Sequence, residues 1–478
     1  MVNGQFRYEE VVNKIKETIT NLQLRPGDKI PSVRKVSADL NVSTTTVFQA
    51  YAMLEARGII VSHPRSGFYV NATAANKLSP AKEKEYIPLP EKVEVNTMDR
   101  IMVKNTRKYS AVNFSTLSMP NEFLPITKIN KAVQASMKEV VVDNFQYPFL
   151  EGHPRLLKQI ALHSFEWGKS IKPEDILVTN GCMEALNLCL AAVTKPGDTV
   201  AIESPAYHGV LQCLESKGLN AIGIRVDPET GLDLAELERA LNTSNITACL
   251  FMPACQNPVG CSMPDANKIK LVKMLGERNI PLIEDDALGE LHFSKLRPLP
   301  AKAYDTYDNV LYCSSFSKTL VPGFRIGWVA AGKYQAEVEK LKFASNVSTN
   351  SLLQDAIARY LESGNYKAHL RKLRFAVQSQ IISYRSAVTQ YFPKEVKISM
   401  PVGGISLWIE LPENVNSLEL QKQALKKGIA ICPGKIFSTS DNCENFIRIN
   451  CGQLYNNKIE QAVKTLGKLV HALSIQTV

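Results

Sequence analysis

Lys318 lies in the segment SSFSKTLVPGFRIGW (314–328), among small hydroxyl residues and seven residues before Arg325. An amine that attacks an aldehyde must shed its proton readily, and burial favours that. The hydroxyls of Ser315 and Ser317 and the guanidinium of Arg325 can hold a phosphate beside the amine. Gly323 and Gly327 relieve crowding there. An aldehyde and a phosphate in one molecule indicate pyridoxal phosphate.

Other segments offer what such a ring needs. VTNGCMEALNLCL (178–190) reads as strand, glycine turn and helix, so the amides of Gly181, Cys182 and Met183 are expected to cap the phosphate. LIEDDALGEL (282–291) ends a strand in acids. A carboxylate there, Asp285 or its neighbour Asp286, can pair with the ring nitrogen. PACQNPVG (253–260) puts Asn257 on a turn in reach of the phenolic oxygen. Tyr207, in IESPAYHG (202–209), can stack on the ring face or fill core. Arg448, in NFIRIN (445–450), is a candidate clamp for a carboxylate or a structural ion-pair partner.

These residues need a frame. The apolar runs DILVTN, TVAIES, ACLFMPA, PLIEDD, NVLYCSS and RIGWVA alternate with helical patterns from about residue 111 onward. Continuous apolar strands separated by helices predict a mostly parallel sheet covered on both faces, an α/β fold. The motifs, in this order, resemble class I aminotransferases of the fold-type I pyridoxal-phosphate family across residues 111–478. The resemblance implies a smaller C-terminal α+β subdomain. It makes Lys318 the lysine that holds the cofactor as an aldimine, Asp285 the ring-nitrogen partner and Asn257 the phenolic-oxygen partner. Ser315, Ser317 and Arg325 become the phosphate site, and Arg448 the receiver of an α-carboxylate. Tyr147, in NFQYPFLEGHPRLLKQIA, matches a tyrosine that reaches the phosphate of a neighbouring subunit. Two departures are visible. Ala287 and Leu288 stand where the family usually has a tyrosine, and Cys182 and Met183 follow Gly181 where relatives carry other residues.

The first 71 residues have another texture. Val11, Val12, Ile15, Ile19 and Leu22 have helical spacing, and Leu24–Asp28 breaks that helix. Ser32 can cap a second helix, SVRKVSADL, and Asn41–Ser43 a tight turn before a third, TTTVFQAYAMLEARG, ending at Gly58. Ile59–Val70 reads as a hairpin turning at Pro64–Gly67. This is a winged helix-turn-helix, whose third helix enters the major groove of double-stranded DNA by its N-terminal end. Ser43, Thr44, Thr45 and Thr46 suit phosphates, Gln49 can read an adenine edge, and Arg34, Lys35 and Arg65 can neutralise phosphates. The string LRPGDKIPSVRKVSADLNVSTTTVFQAYAMLEARGII resembles the GntR-type winged helix, with Thr44 where that family commonly has arginine.

The chain has 478 residues, 45% hydrophobic and 21% charged, with a net charge of +10. That length predicts more than one domain, and that composition excludes a wholly disordered chain. We divide it into a winged helix (1–71), a Lys-, Glu- and Pro-rich linker (72–110) and the pyridoxal-phosphate domain (111–478). No apolar run is long enough to span a bilayer, and MVNGQFRYEE lacks an apolar signal region, so a soluble cytoplasmic protein is expected. The ten cysteines all lie beyond residue 180 without a CxxC pair, which predicts core residues and no metal site. A GntR-like winged helix joined to an aminotransferase-like domain resembles the MocR type of bacterial transcription regulator. That resemblance implies a homodimer that binds promoter DNA. It would sense an amino acid or other amine, or pyridoxal phosphate itself, through the cofactor. A working aminotransferase with an accessory DNA-binding domain is the alternative.

Overall fold

The computed structural model describes residues 7–21, 24, 28–56, 59–63, 67–70, 79–82, 88–93, 111–139, 148–167, 170–439 and 441–476. The chain forms two compact units, Met1–Ser79 and Pro80–Val478.

In the first unit α1 (Arg7–Asn21), α2 (Val33–Asp39) and α3 (Thr44–Ala56) precede a hairpin of β1 (Ile60–His63) and β2 (Gly67–Val70). The hairpin is antiparallel, with Ile60 opposite Val70. Helical spacing explains the packing: Val11, Val12 and Ile15 of α1 meet Val47, Ala50, Tyr51 and Leu54 of α3 in one core. Ser32 caps α2 by accepting from the Lys35 amide at 3.3 Å, and Ser43 caps α3 by accepting from the Thr46 amide at 3.1 Å. The buried Tyr51 hydroxyl donates to the Pro31 carbonyl at 2.6 Å. One addition to the expected pattern is a bridge from Lys29 to Tyr69, which ties the segment before α2 to the wing.

Among the described residues the second unit is built on a nine-stranded sheet. Strands Asn220–Asp227, Thr199–Ser204, Ile246–Phe251, Leu282–Asp285 and Val310–Ser315 run parallel in that spatial order. Gly327–Ala330 follows, antiparallel both to Val310–Ser315 and to Leu177–Thr179. The sheet is therefore mixed but mostly parallel, as expected. One apolar layer sets Leu186, Cys189 and Leu190 of helix Cys182–Val193, with Val210 and Leu214, against Ile202, Ile283 and Leu311. Another sets Leu237, Leu271 and Leu275 against Ile222, Phe251 and Leu282. The central strands are buried on both faces, and their composition is accordingly rich in apolar residues on both.

The smaller C-terminal region carries a four-stranded antiparallel sheet: Lys397–Ile398, Ser406–Glu410, Phe446–Asn450 and Cys432–Pro433. Helices Asn365–Tyr391 and Asn457–Gln476 pack together there. Part of the stretch read as a linker has a definite place. Ala81 is buried with Val226 and Trp408, and Glu91–Lys92 adds an antiparallel strand beside Asn220–Ala221. All ten cysteines are buried and unbridged. Among the described residues no cluster could hold a metal ion, and no helix is long and apolar enough to cross a membrane.

Candidate functional site

The sheet delivers the site residues at the carboxyl ends of its strands, where α/β folds bind ligands. Asp285 ends its strand, Ser315 ends the next, and Lys318 follows three residues later. The Lys318 amine donates to the Leu117 carbonyl at 2.6 Å. Burial pushes its pKa down to about 8, helped by the charges of Arg448 and Arg325 and opposed by Asp285. The amine is thus close to losing its proton near neutral pH, as attack on a carbonyl carbon demands.

Asp285 is buried. Its Oδ1 accepts from the Ala287 amide at 3.0 Å and from the Cys182 thiol at 3.4 Å. Burial pushes the carboxyl up to about 6, against the pull of those two donors and of Lys318. The neighbouring acid, Asp286, is engaged elsewhere. Its Oδ2 accepts from Arg297 and from the Tyr312 hydroxyl. The two neighbours thus have different surroundings, Asp285 beside Cys182 and Asp286 in an ion pair.

Gly181, Arg325 and Ser317 converge on one spot. Arg325 donates from Nη1 to the Ser317 hydroxyl at 3.2 Å and from Nη2 to the Asn180 carbonyl at 3.4 Å. Gly181 has φ of +86°, and a Cβ there would lie 2.2 Å from Nη2 of Arg325. Only glycine allows the guanidinium to lie over the start of helix Cys182–Val193. The Gly181 amide departs from the expected phosphate-capping role. The Gly181 amide donates to the Thr179 carbonyl at 2.8 Å, so it is not offered to a phosphate. The first-turn amides of Cys182 and Met183 have no intrahelical acceptor and remain the donors of that helix end. Cys182 itself is buried, and Met183 packs against the core.

Arg448 is 1% exposed. It donates from Nη1 to Asn257 Oδ1 at 3.0 Å and from Nη2 to the Ser115 carbonyl at 2.6 Å. Its guanidinium stacks over Phe437 at 5.0 Å. Nε is buried without a hydrogen-bond partner. Among the described residues no carboxylate pairs with this cation, which contrasts with Arg297, held by Asp286 and Glu290. Tyr207 is the N-cap residue of helix His208–Ser216. Burial pushes its hydroxyl pKa up, and the Arg448 charge pulls it down. Lys318, Asp285, Asn257, Tyr207 and Arg448 therefore lie within one field of interaction.

The sequence does not point to the segment Ser115–Leu117. Its carbonyls receive both Lys318 and Arg448. Backbone oxygens leave no mark on residue type, so no sequence signal could have found them. Tyr147 lies outside the described residues, as does Arg65 at the wing tip.

On the winged helix Arg34, Lys35, Thr44 and Thr45 are exposed. The hydroxyls of Ser43 and Thr46 bond to each other at 2.8 Å within the cap, so both serve the helix start. Gln49 lies on α3, with its side chain outside the described residues.

The comparisons with known proteins agree with both halves. Residues 7–70 match the bacterial regulatory proteins of the gntR family. Residues 115–466 match aminotransferase class I and II. The chain is 40% identical over 466 residues to the HTH-type transcriptional regulator YdcR of Escherichia coli (strain K12), covering 97% of this chain and 99% of that one. It is 35% identical over 471 residues to YjiR of the same organism, covering 97% and 99%. Among solved structures it resembles LysN, the α-aminoadipate aminotransferase of Thermus thermophilus complexed with N-(5'-phosphopyridoxyl)-L-leucine. That likeness has a TM-score of 0.74 and 26% identity, over 80% of this chain and 97% of that one. The chain belongs to the aminotransferase class I and II family, in its MocR-type form with a GntR-type DNA-binding domain ahead of the aminotransferase fold.

The cofactor of this class is pyridoxal phosphate, and the site fits it. A lysine of lowered pKa suits an aldehyde, a cradle that a Cβ would fill suits a phosphate, and a buried acid suits a ring nitrogen.

Proposed function

We propose that this chain is a homodimeric, cytoplasmic transcription regulator that couples an amine-binding site to promoter DNA. We assign DNA binding to residues 1–71, a connecting role to 72–110 and sensing to 111–478. The observation that carries the sensing reading is Arg448, a buried cation without a carboxylate partner among the described residues, in the same site as a lysine poised to lose its proton. Bound pyridoxal phosphate supplies an aldehyde that an amine can bond covalently. Lys318 is the residue that holds it, and Ser315, Ser317, Arg325 and the Cys182 and Met183 amides hold its phosphate. Asp285 would pair with its ring nitrogen, Asn257 would donate to its phenolic oxygen and Tyr207 would stack on its ring. Arg448 selects effectors that bear a carboxylate. Tyr147 of the neighbouring subunit completes the phosphate site in a homodimer.

For sensing to regulate transcription, the effector must bind one arrangement of the dimer better than another. The test is a titration of the full-length protein with a panel of amino acids and other amines, followed by the visible absorption of the bound cofactor. It is run with and without the DNA upstream of the protein's own gene. A regulator shows an effector whose affinity changes when DNA is added. A set of ligands with unchanged affinity rules out the coupling.

A working aminotransferase is the second reading, favoured by the intact grouping of Lys318, Asp285 and Arg448. Leu288 weighs against it. It is buried, and neither it nor Ala287 can give a hydroxyl to the phenolic oxygen. Loss of one such donor costs about 10²–10³ in rate. Turnover of common amino acids is therefore expected to fall well below about 10 s⁻¹, a typical enzyme value. Leu288→Tyr or Ala287→Tyr should raise it. Wild-type turnover near 10 s⁻¹, about the typical enzyme value, would favour the enzyme.

For DNA, Arg34→Ala and Arg65→Ala should weaken binding to every sequence. Each should also flatten the salt dependence by about one unit, because each removes one phosphate contact. A salt-titrated binding assay reads both effects, and an unchanged slope removes these residues from the interface. Gln49→Ala should instead relax preference at one base position.

A further inference from the structure

We propose that Phe48 reads the 5-methyl group of a thymine in the major groove and thereby sets one position of the DNA sequence that this chain selects. The proposal rests on the DNA-binding reading of the winged helix and deepens it. Phe48 lies on α3, one turn beyond Thr44, and is 47% exposed. The apolar residues Val47, Ala50, Tyr51 and Leu54 of the same helix are fully buried in the core. Thr44 and Thr45, four and three residues earlier, are exposed, so they and Phe48 share a strip of helix surface. That strip begins at the helix end which enters the groove.

The ring is not loosely held. Its edge meets Phe68 of β2, with centroids 6.2 Å apart and planes at 83°. Phe68 in turn meets Tyr51 at 4.9 Å and 78°, and the Tyr51 hydroxyl is tied to Pro31. A rigid apolar surface is therefore presented beside hydroxyl residues, on a domain whose α2 carries the exposed cations Arg34 and Lys35. Those cations match a polyanion. In the major groove the methyl of thymine is the apolar group that an aromatic side chain can cover, and it distinguishes A·T from T·A and from both G·C orientations.

The experiment uses the full-length protein and a library of duplexes with randomised sequence. Wild type, Phe48→Ala and Phe48→Leu are each put through selection for bound duplexes, with thermal melting to compare their folds. The expected result is one thymine per half-site that wild type and Phe48→Leu require and Phe48→Ala does not. Each thymine of the wild-type sequence is then replaced in turn by deoxyuridine, which keeps every hydrogen-bonding group and lacks only the methyl. Wild type should lose about three- to fivefold per half-site at that position, the effect of burying one methyl, and Phe48→Ala should lose nothing. This arm needs no variant in order to fail. If wild type selects a sequence but tolerates deoxyuridine everywhere, the proposal is overturned and the DNA-binding reading stands. If wild type selects no sequence at all, both fall. If Phe48→Ala alters oligomeric state and leaves base preference intact, Phe48 belongs to a protein contact and the proposal is wrong.

Discussion

Lys318→Ala is expected to abolish the visible absorption band of the lysine-bound cofactor and the adduct that borohydride traps on the chain. The fold should survive, because the amine bonds to the Leu117 carbonyl and sits at the rim of the strand ends rather than in either apolar layer. The same lysine sets a pH dependence. With its pKa down to about 8, the amine is protonated and unreactive below that value and neutral above it. At a pH of about 7.5 an amine of that pKa is about one-quarter neutral, against roughly one part in a thousand at the ordinary lysine value. Reloading of cofactor-free protein should therefore quicken as pH rises through about 8 and then level off. Stopped-flow absorbance checks the profile, and mass spectrometry after borohydride checks the attachment. A band and a trapped adduct unchanged in the variant would remove Lys318 from its assigned role. A reloading rate still climbing at about pH 10, near the ordinary lysine value, would show that burial does not tune the amine.

The parts of the site that sequence reveals are those whose chemistry needs a particular side chain. Lys318, Ser317 and Arg325 lie close together in the chain, and the strand and 3₁₀ turn that flank them keep Ser317 and Arg325 in contact. Asp285, Asn257 and Arg448 were each legible as a polar residue within or just after an apolar strand. Their mutual approach is tertiary: Arg448, on a strand of the small antiparallel sheet, bonds to Asn257, beyond a strand of the large sheet, across 191 residues. What stayed hidden has a physical cause in each case. The carbonyls of Ser115 and Leu117 act through backbone that every residue shares. Gly181 reads as a donor of its amide, but works through the space its missing side chain leaves for Arg325. Strand Asn220–Asp227 alternates apolar and other residues, in NAIGIRVD, and lacks the continuous apolar run that marks its neighbours. Phe48 resembles any other apolar residue of an amphipathic helix until packing leaves its ring on the outer side. The segment from 72 to 110 reads as linker from its charges and prolines, because a single buried alanine such as Ala81 is too small a signal.

Arg448→Met is expected to separate ligand binding from folding. A cation taken out of water is costly, and its removal usually helps the fold when no counterion compensates it. Arg448 is such a cation: it is nearly inaccessible, its hydrogen bonds run to Asn257, the Ser115 carbonyl and the Cys432 sulfur, and its Nε has none. A carboxylate entering the site would provide the missing charge and an acceptor for the orphaned N–H, in a fork geometry that lysine cannot match. Truncating one member of a buried charge pair costs about 2–5 kcal/mol of binding. The variant should therefore bind carboxylate-bearing amines about 30- to 4,000-fold more weakly. Amines without a carboxylate should bind as they do to wild type. The ligand-free variant should melt at the same temperature or higher. Titration by cofactor absorbance against matched pairs, an α-amino acid and the amine that lacks its carboxyl group, gives the affinities, and calorimetry gives the stability. Equal losses for both members of a pair would mean that the substitution damages the cofactor site rather than a carboxylate clamp. A lower melting temperature with unchanged affinity would make Arg448 a structural residue, held in place for its bonds to Asn257, Ser115 and Cys432.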